Sequence, residues 1–174
     1  MILNNYWAIK GYTLNNGPVA SSSYATVDIG LKDLSGNTAG FPYQVNGSNT
    51  SYIFPNWIAL YNASAKVGTG TAQPDADDYD IDIDCTSSFS NFTVTVNANA
   101  GDGELTTVAT ISGINTSGSD VTISEVLIYR ELYNPTIPMP SNQPKIAIVH
   151  EKLSSPIAVP NGSGFSLILS WKEK

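Results

Sequence analysis

Residues 120–132 constrain the fold more than any other part of the chain. They read DVTISEVLIYREL, and the centre of this stretch, Val126-Leu127-Ile128-Tyr129, is apolar at every position. A strand with apolar side chains on both faces is typical of the middle of a sheet that is covered on both sides. Residues 105–114 form a second run rich in β-branched residues, and small polar turn formers at 115–119 separate the two runs. We therefore predict that these runs form a β-hairpin at the centre of the fold.

The rest of the chain repeats the pattern of short apolar runs and turn residues. Apolar and polar residues alternate at 24–31, 92–96 and 165–171, and Gly101-Asp102-Gly103 predicts a hairpin turn. No segment of ten or more residues has the 3.6-residue apolar period of a helix. We predict one all-β domain over residues 1–174, an antiparallel β-sandwich of jelly-roll or immunoglobulin-like type with about eight to ten strands and little helix.

Charge is scarce in this chain and mostly negative. Charged residues make up 13% of the sequence, and 8 Lys and Arg against 15 Asp and Glu leave a net charge of −7. Nucleic-acid binding requires clustered cations, and an anionic membrane surface would repel such a protein. No apolar run approaches the ~20 residues of a transmembrane helix. We predict neither a nucleic-acid nor a membrane partner.

Three residues of the chain have side chains of types that take part in catalysis. His150, the one histidine, has no nucleophile partnered with it in the sequence, which favours a structural or surface role. Cys85 follows a run of aspartates, whose field should raise the pKa of its thiol and suppress the thiolate. Glu125 interrupts the apolar run, either as a buried acid of glycoside hydrolysis or, as we favour, as an outward-facing residue or ion-pair partner of Arg130. We predict no catalytic residues, no enzymatic activity and no cofactor.

Residues 75–84, DADDYDIDID, form an acidic segment. Apolar side chains at 79, 81 and 83 alternate with aspartates at 80, 82 and 84, which predicts a strand with one anionic face. Such a strand suits a sheet edge, where charge blocks edge-to-edge pairing. The alternative is a calcium site, because Ca²⁺ takes six or more oxygen ligands, although the spacing is not that of an EF-hand. Its ligands would be Asp75, Asp77, Asp78 and Asp80.

Two aromatic segments are predicted contact surfaces. Residues 1–12 suggest a short aromatic strand or a docking arm that extends to about residue 20, and residues 33–51 suggest a long loop. The aromatic side chains of that loop either pack back on the core or contact a partner subunit or a glycan. The predicted interface residues are Tyr6, Trp7, Tyr12, Phe41, Tyr43, Tyr52 and Phe54.

Two longer stretches carry a family resemblance. The first is KVGTGTAQPDADDYDIDID, a G-T-G-T turn and a proline followed by Asp-Tyr at the start of a strand. The second is GINTSGSDVTISEVLIYRE followed by KIAIVHEKLSSPIAVPNGSGFSLILSWK, an Asn-rich turn, a strand, a Pro-Ile-x-Val-Pro-x-Gly segment and a last strand. In this order the features resemble structural proteins of tailed-bacteriophage virions. The resemblance covers about residues 66–172 and departs from the pattern at Leu127, where glycine is usual.

The resemblance implies a structural component of a bacteriophage virion, of tail, collar, fibre or capsid-associated type. Such a protein would form homo-oligomers, dock on other virion proteins, and be made and assembled in the host bacterial cytoplasm. The alternative is a carbohydrate- or receptor-binding module that stacks a host glycan on aromatic side chains, with calcium at the acidic segment. Its stacking residues would be Tyr43, Tyr52, Trp57 and Tyr61.

Overall fold

The computed structural model describes residues 2–8, 23–45, 63–101, 104–131 and 145–173, with only the backbone described at 23–29, 40–45, 101, 104, 131 and 173. The predicted all-β architecture is confirmed. The strands are β1 (Ser23–Lys32), β2 (Thr38–Val45), β3 (Ser64–Gly68), β4 (Phe89–Gly101), β5 (Glu104–Asn115), β6 (Val121–Glu131), β7 (Lys145–Val159) and β8 (Gly164–Glu173). A 3-10 turn at Thr86–Ser88 precedes β4, and residues 4–8 form a short helix. No helix within the described ranges has the length and apolar character needed to cross a membrane.

Two three-stranded antiparallel sheets, β3-β6-β7 and β4-β5-β8, face each other. One apolar cluster receives a side chain from every one of these six strands, as expected for the core of a two-layer sandwich. Its buried members are Ala65, Val67, Cys85, Phe89, Ile111, Ile123, Val126, Val159, Phe165 and Leu167.

The predicted central hairpin is wrong in its pairing, although both of its strands are central. β5 lies between β4 and β8, whereas β6 lies between β3 and β7, so residues 116–120 carry the chain from one sheet to the other. The side-chain amide of Asn115, which is fully buried, donates to the carbonyls of Ser119 and Val159, both at 2.8 Å. These bonds fix the corner against the turn between β7 and β8. The predicted β4–β5 hairpin is present, with Gly101 opposite Glu104.

β6 is covered on both faces, as its apolar run predicted. Val126, Leu127 and Ile128 have no exposed surface. Val126 and Ile128 point toward β4-β5-β8, while Leu127 points to a second, smaller layer on the opposite side. In that layer Leu127 packs with Leu3 and Ile81.

The N-terminal residues help to build the second layer. Ile2 forms a β-bridge with Val149, and the Leu3 amide donates to the Ile148 carbonyl at 2.9 Å. Residues 4–8 are helical and not a strand, since burial of Leu3 and Tyr6 on the domain governs this segment. The described part of the predicted arm is thus packed on its own domain.

The long loop predicted at residues 33–51 is wrong in its first half. β2 pairs with β1 as an antiparallel ribbon, and residues 33–37 form the turn between them. The Asp33 carboxylate accepts the backbone N–H groups of Ser35 and Asn37, both at 2.9 Å, and Gly36 takes the positive φ of 78° that the turn requires. Gly40 and Pro42 suggested a loop, but a two-stranded ribbon offers outer edges where proline is tolerated.

Candidate functional site

The acidic segment, residues 75–84, is irregular and not the predicted strand. Its carboxylates accept backbone N–H groups close by in the sequence: Asp78 from Asp75 at 2.8 Å, and Asp84 from Thr86 at 2.8 Å. Such local bonds compete with a β-ladder, which is why the alternation was misleading. Ile81 is 8% exposed and Ile83 is 58% exposed, so the apolar side chains do not share one buried face.

The four aspartates predicted to bind calcium are not gathered around one point. Among the described side chains, no three Asp, Glu, His or Cys residues form a group that could hold a metal ion. Each of the four aspartates has a bond within the chain. The partners are the Asp77 amide for Asp75, Asn4 for Asp77, His150 for Asp78, and Lys66 for Asp80. Calcium binding at this segment stays a prediction from the sequence.

A chain of three ionisable side chains runs from the acidic segment into the sheet. Asp78 Oδ2 lies 2.8 Å from His150 Nδ1, and His150 Nε2 lies 3.0 Å from Glu125 Oε2. Glu125 is 1% exposed and His150 is 4% exposed. The favoured expectation for Glu125, an outward-facing residue or a partner of Arg130, is therefore wrong. Residues 70–83, which cover β6 and which we call the covering segment, donate backbone hydrogen bonds to the Glu125 carboxylate. The buried carboxylate therefore has the hydrogen-bond partners that burial requires.

The second oxygen of Glu125 binds the backbone of the covering segment. Glu125 Oε1 accepts the N–H groups of Gly70 at 2.9 Å and Ile83 at 3.3 Å. A Cβ atom at Gly70 would lie 2.2 Å from this oxygen, and one at Gly68 would lie 2.5 Å from it. Only glycine permits this approach of backbone to carboxylate. The glycine-bearing stretch 66–71 thus makes room for the buried carboxyl group of Glu125.

The contacts of Asp78, His150 and Glu125 indicate a structural role for these three side chains. Each of the two N···O contacts of His150 requires one proton between its atoms, so the unit is a hydrogen-bonded link between the acidic segment, β7 and β6. Its central atoms are shielded from solvent. The arrangement suits the attachment of a covering segment to the sheet, in which Lys152 takes part by donating to the Thr71 carbonyl.

A half-exposed cluster lies at the edge of the same layer. Partial burial acts to lower the pKa of Lys66, but the hydrogen bond and charge of Asp80, 2.6 Å away, together with Asp84, outweigh it and raise that pKa. Burial likewise acts to raise the pKa of Asp84, but hydrogen bonds from Thr86 and the charge of Lys66 lower it below its ordinary value. Burial, followed by the charge of Asp84, raises the pKa of Cys85 to about 11. The predicted rise in the pKa of this thiol is confirmed, although burial contributes more to it than the charge of Asp84.

The outer face of β4-β5-β8, unlike the outer side of the other sheet, has few charged side chains. We call it the bare face. Its side chains are hydroxyls, amides and a few apolar groups, and Lys172 at one end is the charged residue among those described. Ile168 is the most exposed large apolar side chain, at 69%. The rows across the three strands are Thr93-Ser112-Ser166, Thr95-Thr110-Ile168, Asn97-Val108-Ser170 and Asn99-Thr106-Lys172.

The aromatic residues predicted to form an interface fall into three groups. Tyr6 is 4% exposed and belongs to the core, whereas Trp7 is 46% exposed and contacts Tyr6 edge to face at 5.4 Å. Phe41 and Tyr43 lie on β2, where only the backbone is described. Tyr12, Tyr52, Phe54, Trp57 and Tyr61 lie outside the described residues. Sequence reasoning missed the bare face, whose signal is the recurrence of Thr and Asn at alternate positions of β4 (93–99) and of Thr and Ser at most alternate positions of β5, where Val108 interrupts it.

No family model matches this chain, and no curated protein or solved structure is significantly similar to it. An all-β sandwich supports many unrelated functions, so the architecture alone assigns none.

Proposed function

We propose that this protein is a structural subunit of a bacteriophage virion and that it acts by docking its bare face on neighbouring virion proteins. The observation that carries the proposal is the separation of charge between the two sides of the sandwich. The acidic segment covers the outer side of β3-β6-β7, while the outer side of β4-β5-β8 presents hydroxyl and amide groups.

Electrostatics favours the bare face as the contact surface. Copies of a chain with a net charge of −7 repel one another, and a like-charged pair 4 Å apart costs ~1 kcal/mol even in water. The centres of protein interfaces are depleted of charged residues for this reason and for the cost of desolvation. A surface of Thr, Ser and Asn around Ile168 meets that requirement, whereas the acidic segment does not.

The virion part of the proposal is supported by the resemblance of residues 66–172 to tailed-phage structural proteins. These residues build both three-stranded sheets of the sandwich. The low charged fraction of 13% also suits a protein whose surface is largely buried in an assembly.

The test uses particles purified from induced cultures of the organism that encodes the chain. After a high-salt wash, peptides of this protein should be found by mass spectrometry at a fixed ratio to the major particle protein. Their absence from particles would overturn the virion assignment.

A charge-insertion pair then tests the docking face. Thr95→Glu with Thr110→Glu places two carboxylates on the bare face, and we expect this variant to fold but to be lost from particles. Gln73→Glu adds the same kind of charge at an exposed site on the covered side and should be incorporated normally. Equal incorporation of both variants would contradict docking through the bare face.

A further inference from the structure

The outer edges of the two sheets are treated differently. The edge of β3 is bonded to residues 83–86: the Cys85 amide donates to the Val67 carbonyl at 2.9 Å, and Gly68 bridges Asp84. The edge of β7 is bonded to Ile2 and to residues 33–34. β4 and β8 are the edges of the other sheet, and no described strand pairs with either on its outer side. A strand edge with unpaired N–H and C=O groups is a template for another strand.

β4 and β8 differ as templates. β4 has a register shift between Ser90 and Thr93, where Asn91 takes a positive φ of 49°, and such a bulge twists an edge away from pairing. β8 pairs with β5 in unbroken register from Gly164 to Glu173. It contains no proline, and Ile168 stands exposed at its middle. Of these two edges, β8 is the one suited to accept a strand.

A groove lies along the outer edge of β8, beside β7. It has a volume of about 250 Å³. Its lining comes from Ile2, Val149 and Glu151 on one side and from Ile168, Leu169, Ser170 and Trp171 of β8 on the other, so it is mostly apolar with one carboxylate. A strand added to β8 would place apolar side chains beside this groove.

The side-chain order of β8 is symmetric about Ile168. Reading outward from Ile168, the strand has leucine on both sides, then serine on both sides, then an aromatic residue on both sides: Phe165-Ser166-Leu167-Ile168-Leu169-Ser170-Trp171. An antiparallel strand pair about a two-fold axis aligns each residue with its mirror position, so this sequence would place similar residues opposite each other at every step. A strand in which apolar and polar residues merely alternate would place apolar residues opposite apolar residues. It would not place the same type of residue at both mirror positions, as this strand does at each step.

We propose that β8 pairs antiparallel with β8 of a second copy of this chain, with Ile168 opposite Ile168 at the two-fold axis. The result is a continuous six-stranded sheet, β4-β5-β8-β8-β5-β4, in which the two bare faces join. On the outer side Ser166 lies opposite Ser170, and on the inner side Leu167 lies opposite Leu169. Matched apolar and hydroxyl pairs across strands are stabilising.

Charge favours a second copy as the occupant. Residues 163–171 contain no charged side chain, whereas the chain as a whole carries −7, so contact at β8 brings two copies together where repulsion is least. Phe165 would lie opposite Trp171, which extends the apolar layer past the end of the groove. The inference deepens the proposed function, on which it rests for its place in a particle, by naming the partner and the register.

Cysteine cross-linking tests the register. Opposed residues of antiparallel strands have Cα atoms ~4.5–5.5 Å apart, within the range of a disulfide. Ile168→Cys should therefore yield a disulfide-linked dimer under mild oxidation. Thr95→Cys is the matched control, because Thr95 lies in the same row of the bare face on the other edge strand and should remain monomeric on a non-reducing gel. Native Cys85 is buried and should not contribute.

Sedimentation measures the association without a cross-link. The wild-type protein should have twice the 18.5 kDa mass of one chain at high concentration, and Ile168→Asp, which opposes two carboxylates at the axis, should lose the dimer. Since Ile168 is 69% exposed, this variant should keep the wild-type circular dichroism spectrum. A wild-type monomer, or equal cross-linking of both cysteine variants, overturns the pairing at β8.

The two proposals fail in different ways. A monomer in solution that is nevertheless found in purified particles overturns edge pairing and leaves the virion assignment standing. A dimer that depends on Ile168 but is absent from particles overturns the virion assignment and leaves edge pairing standing.

Discussion

The two sheets of this sandwich differ in what lies on their outer sides. The outer side of β3-β6-β7 is covered by the N-terminal residues and the acidic segment, and it contains a buried carboxylate that is hydrogen-bonded at both oxygens. The outer side of β4-β5-β8 presents mainly hydroxyl and amide side chains, with Val108 and Ile168 among them and Lys172 at one end. One side is closed by specific polar contacts, and the other offers a surface without charge at its centre.

We propose that stability depends on one side of the protein and association on the other. Buried hydrogen-bonded charges are costly to disturb, because the partner that remains is left without compensation. Exposed hydroxyl side chains on a sheet contribute little to folding and present no charge to a partner. Substitutions on the covered side should therefore change the free energy of unfolding, and substitutions on the bare side should change association.

The largest effect is expected when Glu125 is replaced by alanine. This removes the acceptor of the Gly70 amide and leaves His150 without its buried carboxylate partner. We expect the free energy of unfolding to fall by about 3–5 kcal/mol, as found when one partner of a buried pair is removed. Urea denaturation followed by circular dichroism gives this value, and a loss below ~1 kcal/mol would show that the buried chain does not hold the covering segment.

Gly70→Ala should have the next largest effect. The added methyl group would meet Glu125 Oε1 at 2.2 Å and the Asp82 Cβ atom at 2.7 Å, so the covering segment must move. Overpacking of this kind costs about 1–3 kcal/mol. Gly164→Ala, where the nearest atom would be 3.6 Å away in ordinary contact, is the control and should change the melting temperature much less. Similar shifts for both variants would argue against the tight seat around Glu125.

The half-exposed cluster of Lys66, Asp80 and Asp84 should make a small, pH-dependent contribution to the free energy of unfolding. The pKa of Asp84 is lower in the folded protein than its ordinary value of 3.8, so its contribution to stability is present above that value and is lost as the pH falls through the folded value. Because Asp84 is well exposed, Asp84→Asn should cost only about 0.5 kcal/mol at pH 7.

The difference in the free energy of unfolding between wild type and Asp84→Asn should decrease below pH 3.8. The raised pKa of Lys66 acts with the opposite sign: its contribution is complete below 10.5 and is lost as the pH rises through the folded value. Asp82→Asn, which removes a nearby exposed charge, serves as the control in thermal melts at several pH values. A larger loss for Asp82→Asn than for Asp84→Asn would contradict the assignment of the ion pair.

The smallest effect on stability should come from the centre of the bare face. Thr110→Val replaces a hydroxyl on the outer side of β5 with a methyl group, and we expect the free energy of unfolding to change by ~0.5 kcal/mol or less. Chemical denaturation at low protein concentration measures this for the monomer. A change above ~1 kcal/mol would mean that the bare face takes part in folding as the covered face does.

Much of the architecture could be predicted from local patterns. The apolar run of β6 predicted a strand covered on both faces, and Gly101-Asp102-Gly103 predicted the β4–β5 hairpin, because both depend on residues close together in the sequence. The β5–β6 connection could not be predicted in this way. A short polar turn has the same sequence pattern whether its two strands pair with each other or belong to different sheets. Here Asn115 holds the connection between the two sheets by a hydrogen bond to Val159, 44 residues away.

The covered side was the part least accessible to sequence reasoning. Asp-rich alternation predicted a strand, but aspartate side chains bind local backbone groups in competition with the ladder. The partners of Glu125 are Gly70, Ile83 and His150, which are distant in sequence, so its burial had no local signal. The symmetry of β8 about Ile168 was visible in the sequence, but its meaning depends on β8 being an edge strand.

Hydrogen exchange measured at low and high protein concentration tests the contrast between the two sides most directly. The backbone N–H groups of β6 and of residues 69, 70, 82, 83 and 85, which are bonded within the chain, should exchange equally slowly at both concentrations. The backbone N–H groups of β8 near Ile168 that point away from β5, at the edge of the sheet, should become more protected at high concentration. The corresponding N–H groups at the outer edge of β4 should show no change. Equal exchange of β8 at both concentrations, or a concentration dependence on the covered side, would contradict the assignment of association to the bare sheet.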